Sequence, residues 1–326
     1  MARGGSQDGP TPNAHGGPGA QTARQRSAGA AGGAPGGVRR RGIALEPAAA
    51  YELRADGGGC EDPRITFLEP LGRYVMSYTA FSPDGPRIAL ALSDDLWHWE
   101  RLGLATFEPY DGLGFDGINN KDAVIFPVAV PGPDGRPAMA MIHRPLFPGT
   151  EARDTVTEPT PRAIDPNRES MWIAYCSLER TGHEDLHYLC HFTAHHRLAF
   201  PVAPWERLKI GGGAPPVLTA DGWLVIYHGV DEPPGEAGRP RTLRYSAGAL
   251  VLDAHDPRRI RYRSPTPILE PELRQEREGA VDDVIFPTGV DRRFDLGQSD
   301  RIDVYYGMAD SRIGVARLDL PLRSLL

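Results

Sequence analysis

The chain has 326 residues, 40% of them hydrophobic, which is enough for one large domain or two ordinary ones with a sizeable core. A formal charge of −7 and a sequence pI near 5.8 exclude the net basic surface of a dedicated nucleic-acid binder and point to small-molecule chemistry. Cys60, Cys176 and Cys190 have no spacing that would ligate zinc or staple a secreted scaffold. With no apolar run near the roughly 20 residues of a membrane span and no charged-then-apolar leader, a cytoplasmic protein without a membrane partner is expected.

Residues 1–41 are dominated by Gly, Ala, Pro, Ser, Gln and Arg, with no aromatic residue. Such a segment buries too little to offset its ordering entropy, so it is read as a disordered tail, and residues 42–326 as one folded domain. Arg39, Arg40 and Arg41 at its end fit a solvated tail better than a nucleic-acid or membrane tether.

From residue 61 a unit repeats in which a short apolar strand turns into a second strand ending near Tyr or His. The first copy runs from Arg64-Ile-Thr-Phe-Leu68 to Tyr74-Val-Met-Ser-Tyr78, and the second from Asp122-Ala-Val-Ile-Phe-Pro127 to Met139-Ala-Met-Ile-His143. The third runs from Gly213–Leu218 to Trp223–His228, and the fourth from Asp283-Val-Ile-Phe-Pro287 to Ile302–Tyr306. A third strand follows each pair, at Ile88–Leu92, Trp172–Tyr175, Ser246–Val251 and Ile313–Ala316, and outer strands are read at Trp97–Glu100 and Ile260–Arg263. Short strands at regular spacing without long helical periodicity predict an all-β propeller of four-stranded blades; the near-identity of two of the strand openings favours it over a β-sandwich.

In a propeller the starts of the innermost strands become neighbours around the axis. Asp62, Lys121, Asp122, Lys209 and Asp283 stand at those starts, and Arg144, His228 and Asp310 at the ends of second strands. Acids suit sugar hydroxyls, and cations suit an anion.

The motifs Glu61-Asp-Pro-Arg-Ile65, Asn120–Pro127, His143-Arg-Pro145, Lys209–Pro216, Gly222–Val230 and Tyr306-Gly-Met-Ala-Asp310 together resemble, in order, those of glycoside hydrolase family 130. The resemblance implies a five-bladed propeller and inverting phosphorolysis of β-1,4- or β-1,2-linked mannosides, with inorganic phosphate as co-substrate and no cofactor or metal. The alternatives are a β-mannoside hydrolase and an inactive carbohydrate-binding propeller. An inverting phosphorylase needs one general acid and no base, because phosphate is already an anionic nucleophile. By resemblance Asp62 is that acid, Lys121, Arg144, Lys209, His228 and Tyr245 hold phosphate, and Asp122 and Asp310 contact the sugar. Gly211-Gly-Gly213 lacks the Lys-Ser/Thr ending of a P-loop and is read as close backbone passage near the axis.

His183-Glu-Asp-Leu-His187 matches the H-E-x-x-H pattern of zinc peptidases. That pattern needs a helix, whereas Gly182 precedes it and the strand Trp172–Tyr175 lies before it, so zinc is not expected. Family members open with a complete first blade whose place is taken here by the tail. An open propeller of about four blades, with two uncovered apolar faces, is therefore expected; the oligomeric state is left open.

Overall fold

The computed structural model describes residues 41–55, 59–147, 169–179, 185–233 and 242–320, together with the backbone of 24–26. Strand β1 is Arg24–Arg26. Blade one comprises β2 (Cys60–Leu68), β3 (Arg73–Ser82), β4 (Gly85–Ser93) and β5 (Glu100–Leu104), paired antiparallel in that order. The short β6 (Thr106–Phe107) leads to blade two, with β7 (Asn119–Ile125), β8 (Val130–Pro131), β9 (Pro137–Leu146), β10 (Met171–Ser177) and β11 (His191–Ala199). Blade three comprises β12 (Lys209–Gly212), β13 (Val217–Thr219), β14 (Gly222–Asp231), β15 (Arg244–Leu252) and β16 (Ile260–Arg263). Blade four comprises β17 (Ile285–Arg292), β18 (Arg301–Met308) and β19 (Arg312–Asp319).

The repeat read from the sequence thus corresponds to four propeller blades, with three local differences. The outer strand of blade one starts at Glu100, because the Asp95 carboxylate takes the amides of Trp97 and His98 and holds that stretch as a turn. In blade three the innermost edge is split, since β12 and β13 pair with opposite ends of β14. The fourth strand of blade four is β1, paired antiparallel to β19, within the segment that was expected to form no strand; the flanking residues 1–23 and 27–40 lie outside the described residues.

Strand alternation explains how the blades stack. Leu68, Val75, Ile88, Leu90 and Leu92 of blade one pack on Ala123, Ile125, Met139 and Met141 of blade two. The opposite face of blade two, with Val124, Phe126, Ala140, Ile142 and Ile173, packs on Ile210, Val225, Tyr227 and Leu250 of blade three. Leu224, Ile226 and Ala249 of blade three then meet Ile285, Ile302, Val304 and Tyr306 of blade four. Among the described residues no apolar cluster joins blade four to blade one. Nor are the two remaining faces bare apolar sheets, as the sequence had led us to expect. Leu45 and Tyr51 cover Met76, Tyr78 and Ala80 on blade one, leaving Ile65 and Phe67 exposed. On blade four the outward-facing Asp303 is buried beneath Arg293 and Arg301.

A recurring clasp fastens three of the blades. A single helical turn before the innermost strand carries a fully buried glutamate, Glu52, Glu206 or Glu276, whose carboxylate takes two backbone amides of its own turn. Each also accepts a phenol proton from the blade's second strand, Tyr78 at 2.5 Å, Tyr227 at 2.7 Å and Tyr306 at 2.8 Å. Arg101 and Arg263 add outer-strand guanidinium groups to the first two. In blade two aromatic packing takes this place, with Phe115 stacked on His195 at 4.4 Å and set against Phe147 and Trp172.

Candidate active site

Asp62, Asp122 and Asp283 open the innermost edges of blades one, two and four, and all three have positive φ, at 50°, 58° and 57°. Aspartate tolerates this left-handed conformation, and in the first two blades it forms a bulge, between Glu61 and Arg64 and between Lys121 and Val124. A bulge re-aims the side chain out of the strand's alternation, so a residue that would face a neighbouring blade turns toward the axis. In blade three glycines stand at this level. A Cβ on Gly211 would run into the Asp122 carboxylate and the His228 ring, and one on Gly212 into the Asp122 carbonyl. The close backbone approach expected of Gly211-Gly-Gly213 is thus present.

Asp122 is the hub. Its side chain is fully buried, with Oδ2 accepting from Arg144 Nε at 2.6 Å and lying 3.5 Å from His228 Nε2, and Oδ1 4.0 Å from Arg64. Burial works to raise its pKa, but Arg144, His228, Lys121 and Arg64 overcome that and hold the carboxyl far below the usual range. Arg144 also donates to Glu169, so that its Nε and one terminal nitrogen are engaged by two carboxylates. Lys121, beside Asp122 on β7, reaches Asp62 at 3.3 Å, and both of these side chains keep about a quarter of their surface exposed. Lys209 Nζ lies 5.6 Å from the centre of the Tyr245 ring, which in turn lies 6.1 Å from the His228 ring. His228 is 1% exposed, and its pKa falls to about 3: burial is the main cause, Asp122 opposes it, and Arg144, Arg64 and Lys209 add to it. Burial thus favours the neutral ring at physiological pH, and the 3.5 Å approach of Nε2 to Asp122 favours the tautomer with its proton on Nε2.

The structure thus brings Asp62, Lys121, Asp122, Arg144, Lys209, His228 and Tyr245 into one contiguous group. Asp310 is exposed at the turn after β18, with φ of 51°, and no hydrogen bond or ion pair among the described residues joins it to this group. Asp283 accepts from Thr242 at 3.2 Å and, through its carbonyl, from the amide of Tyr245.

Two further members were not singled out from the sequence. Glu169 stands two residues before the start of blade two's third strand, outside every motif read from the sequence. Arg64 occupies an alternating strand position that reads as solvent-facing, yet it is 1% exposed. It lies across the axis, donating to the carbonyls of Asp62 at 2.8 Å, Gly213 at 3.1 Å and Gly212 at 3.3 Å, with its guanidinium 5.1 Å from the centre of the Phe286 ring. One side chain on blade one therefore touches all three other blades.

Of the peptidase-like motif, His183 and Glu184 lie outside the described residues. His187 begins a short helical turn, and its Nδ1 bonds the Leu102 carbonyl at 2.6 Å, which fastens the edge of blade two to blade one. Among the described residues no three His, Cys, Asp or Glu side chains group as metal ligands, and no helix is long and apolar enough to cross a membrane.

The sequence profile of the glycoside hydrolase 130 family, described as β-1,4-mannooligosaccharide phosphorylase, matches residues 37–322. A 1,2-β-oligomannan phosphorylase from Thermoanaerobacter sp. (strain X514) is 33% identical over 84% of this chain and 73% of its own length. A β-1,2-mannobiose phosphorylase from the same strain is 31% identical over 84% of this chain and 71% of its own length. A solved structure of β-1,2-mannobiose phosphorylase from Listeria innocua, complexed with β-1,2-mannobiose, matches with a TM-score of 0.59 and 28% identity over 84% of this chain. The present chain spans 61% of that structure's chain. On the match to its profile and to these relatives, the chain belongs to glycoside hydrolase family 130.

Proposed function

We propose that the chain cleaves β-mannosides by phosphorolysis, inverting the anomeric centre to give α-mannose 1-phosphate. The observation that carries this reading is the grouping of Lys121, Arg144, Lys209 and His228 with Asp62 and Asp122 where successive blades converge. Phosphate needs clustered donors to hold it on the face of the sugar opposite the leaving oxygen, and guanidinium and ammonium groups suit that task.

In this mechanism Asp62 is the acid. It is less enclosed than Asp122, and protonation of the leaving oxygen passes through the mannosyl 3-hydroxyl. Phosphate attacks the anomeric carbon, the glycosidic bond breaks, and no base is required. Arg144, Lys209, Lys121 and Tyr245 orient the phosphate and stabilise the charge as it shifts. Asp122 fixes Arg144 and His228 in place, and its Oδ1, buried without a hydrogen-bond partner, is free to accept from a sugar hydroxyl. Asp310 is assigned to the sugar site by the family resemblance alone, since no hydrogen bond or ion pair among the described residues joins it to the group. The three thiols form no disulfide, which suits action in a reducing cytoplasm.

The test is to incubate the purified chain with β-1,2-mannobiose or β-1,4-mannobiose, with and without phosphate, and to follow mannose 1-phosphate. Phosphate-dependent release is expected, the β-1,2 substrate being the first choice because two relatives that match 84% of this chain are named for that linkage. Equal cleavage without phosphate would make the chain a hydrolase.

A further inference from the structure

The anion site contains hydrogen-bond acceptors that no described residue satisfies. His228 Nδ1 and Asp122 Oδ1 are both buried and lack hydrogen-bond partners. Buried polar atoms are rarely left unpaired, and an unpaired one at a binding site marks where a ligand supplies the missing half of a bond. With the proton on the Nε2 that faces Asp122, the Nδ1 of a neutral His228 has only a lone pair to offer. The groups facing this ring are Asp122 on β7, Arg144 on β9, Arg64 on β2, Lys209 on β12 and Tyr245 on β15, with the apolar Phe286 ring 4.7 Å away. None of them fills Nδ1.

Formal charge gives the same indication independently. Among the described residues of this group, Arg64, Lys121, Arg144 and Lys209 stand against Asp62, Asp122 and Glu169, which leaves a single positive charge. That balance suits a singly charged oxyanion better than a doubly charged one.

We propose that His228 accepts a hydrogen bond at Nδ1 from a P–OH group, so that the site selects protonated phosphate and discriminates against oxyanions that carry no proton. This rests on the phosphorylase reading above. It reverses the role first assigned to His228, from cation to acceptor. Phosphate keeps at least one proton near neutrality and sulfate keeps none, so sulfate would set an oxygen lone pair against the lone pair of Nδ1. Sites built to hydrogen-bond a ligand O–H reject an analogue lacking it by large factors, up to about 10⁴ to 10⁵.

Isothermal titration of the full chain with inorganic phosphate and with sulfate, at constant ionic strength and neutral pH, tests this. Sulfate should bind at least about 100-fold more weakly than phosphate, a conservative share of that range. In His228→Gln, whose amide can present either an oxygen or an N–H, the preference should drop to within about tenfold. Glu169→Gln, which removes a negative charge and leaves His228 in place, should bind both anions more tightly, with sulfate gaining the more and phosphate still preferred. Sulfate binding to the wild type within tenfold of phosphate, or an undiminished preference in folded His228→Gln, would overturn the inference while the phosphorylase reading stands. Failure of either anion to bind the wild type would overturn that reading, and this inference with it.

Discussion

Arg64→Met separates the axial arginine's structural role from any role in catalysis. Methionine fills a similar volume but donates nothing. The substitution removes three hydrogen bonds to carbonyls, from Asp62, Gly212 and Gly213, and the cation 4.0 Å from Asp122. Each buried acceptor left without a donor costs about 1–3 kcal/mol, and removing one partner of a buried ion pair costs about 3–5 kcal/mol. These overlap, and relief from burying a guanidinium offsets part of them, so a net loss of about 4 kcal/mol is expected. At about 2–4 °C per kcal/mol for a chain of this size, the thermal midpoint should fall by roughly 10 °C. Circular dichroism melts of wild type, Arg64→Met and Arg64→Lys measure it directly. Lysine keeps the charge but cannot reach three carbonyls at once, so it should recover less than half of the loss. A loss below about 1 kcal/mol in Arg64→Met, or full recovery by lysine, would refute the view that the guanidinium fork ties the blades together.

Three further outcomes are expected. Asp62→Asn should reduce phosphorolysis by about 10² to 10⁴ with the melting profile unchanged, and steady-state rates retaining more than a tenth of wild-type activity would remove Asp62 as the acid. Arg144→Ala and Lys209→Ala should raise KM for phosphate far more than KM for the mannoside, whereas equal rises would indicate a folding defect; initial-rate kinetics with each substrate varied separately distinguish the two. The pKa of Glu52 falls from an ordinary 4.5 to about 2: burial opposes the shift, and bonds from Arg101, Ala48, Tyr78 and Ala49 outweigh it. A depressed carboxyl pKa stabilises the fold above the unfolded value and loses that contribution as pH falls through the folded value. Wild type should therefore exceed Glu52→Gln by about 3 kcal/mol at pH 7, and denaturant titrations should show the gap closing between about pH 4.5 and 2.

Most of the strands were legible because propeller strands are short, alternate in polarity and end at turn residues. The Asp122–Pro127 and Asp283–Pro287 segments even share their wording. What escaped was long-range. The clasp glutamates are signalled by a prolyl residue five positions earlier, at Pro47, Pro201 and Pro271, but each reads as an ordinary loop acid. Its tyrosine partner stands 26, 21 or 30 residues away, and nothing local announces the contact. Arg64 escaped for the opposite reason, since its strand position follows the alternation of a solvent-facing residue while the axis there is lined with carbonyls instead of water. Asp62, Lys121, Asp122, Arg144, Lys209 and His228 were readable as a set because blade symmetry makes equivalent strand positions adjacent, whereas Tyr245 came only with the family resemblance. The same symmetry also offered Asp283 and Asp310, which no side-chain hydrogen bond or ion pair among the described residues joins to the group. The exclusively buried state of Asp122 was not readable, because burial depends on Arg144 and His228 arriving from other strands.

The distribution of clasps bears on how the site keeps its geometry. Glu52, Glu206 and Glu276 pin the chain shortly before Asp62, Lys209 and Asp283, so the approach to three of the four inner strands is fixed by buried, charge-assisted bonds. Blade two, which supplies Lys121, Asp122, Arg144 and Glu169, has no such glutamate among its described residues and relies on the aromatic group around Phe115. Its ionic side chains are instead held from outside, Asp122 by Arg64 of blade one and by His228 of blade three. The proposed anion site is consequently a property of the assembled blades and not of any one of them. A substitution that loosens blade one at Arg64 should therefore weaken phosphate binding even though it leaves Arg144 and Lys209 untouched, and titration of phosphate into Arg64→Met is the measurement in which a stability change and a binding change must appear together.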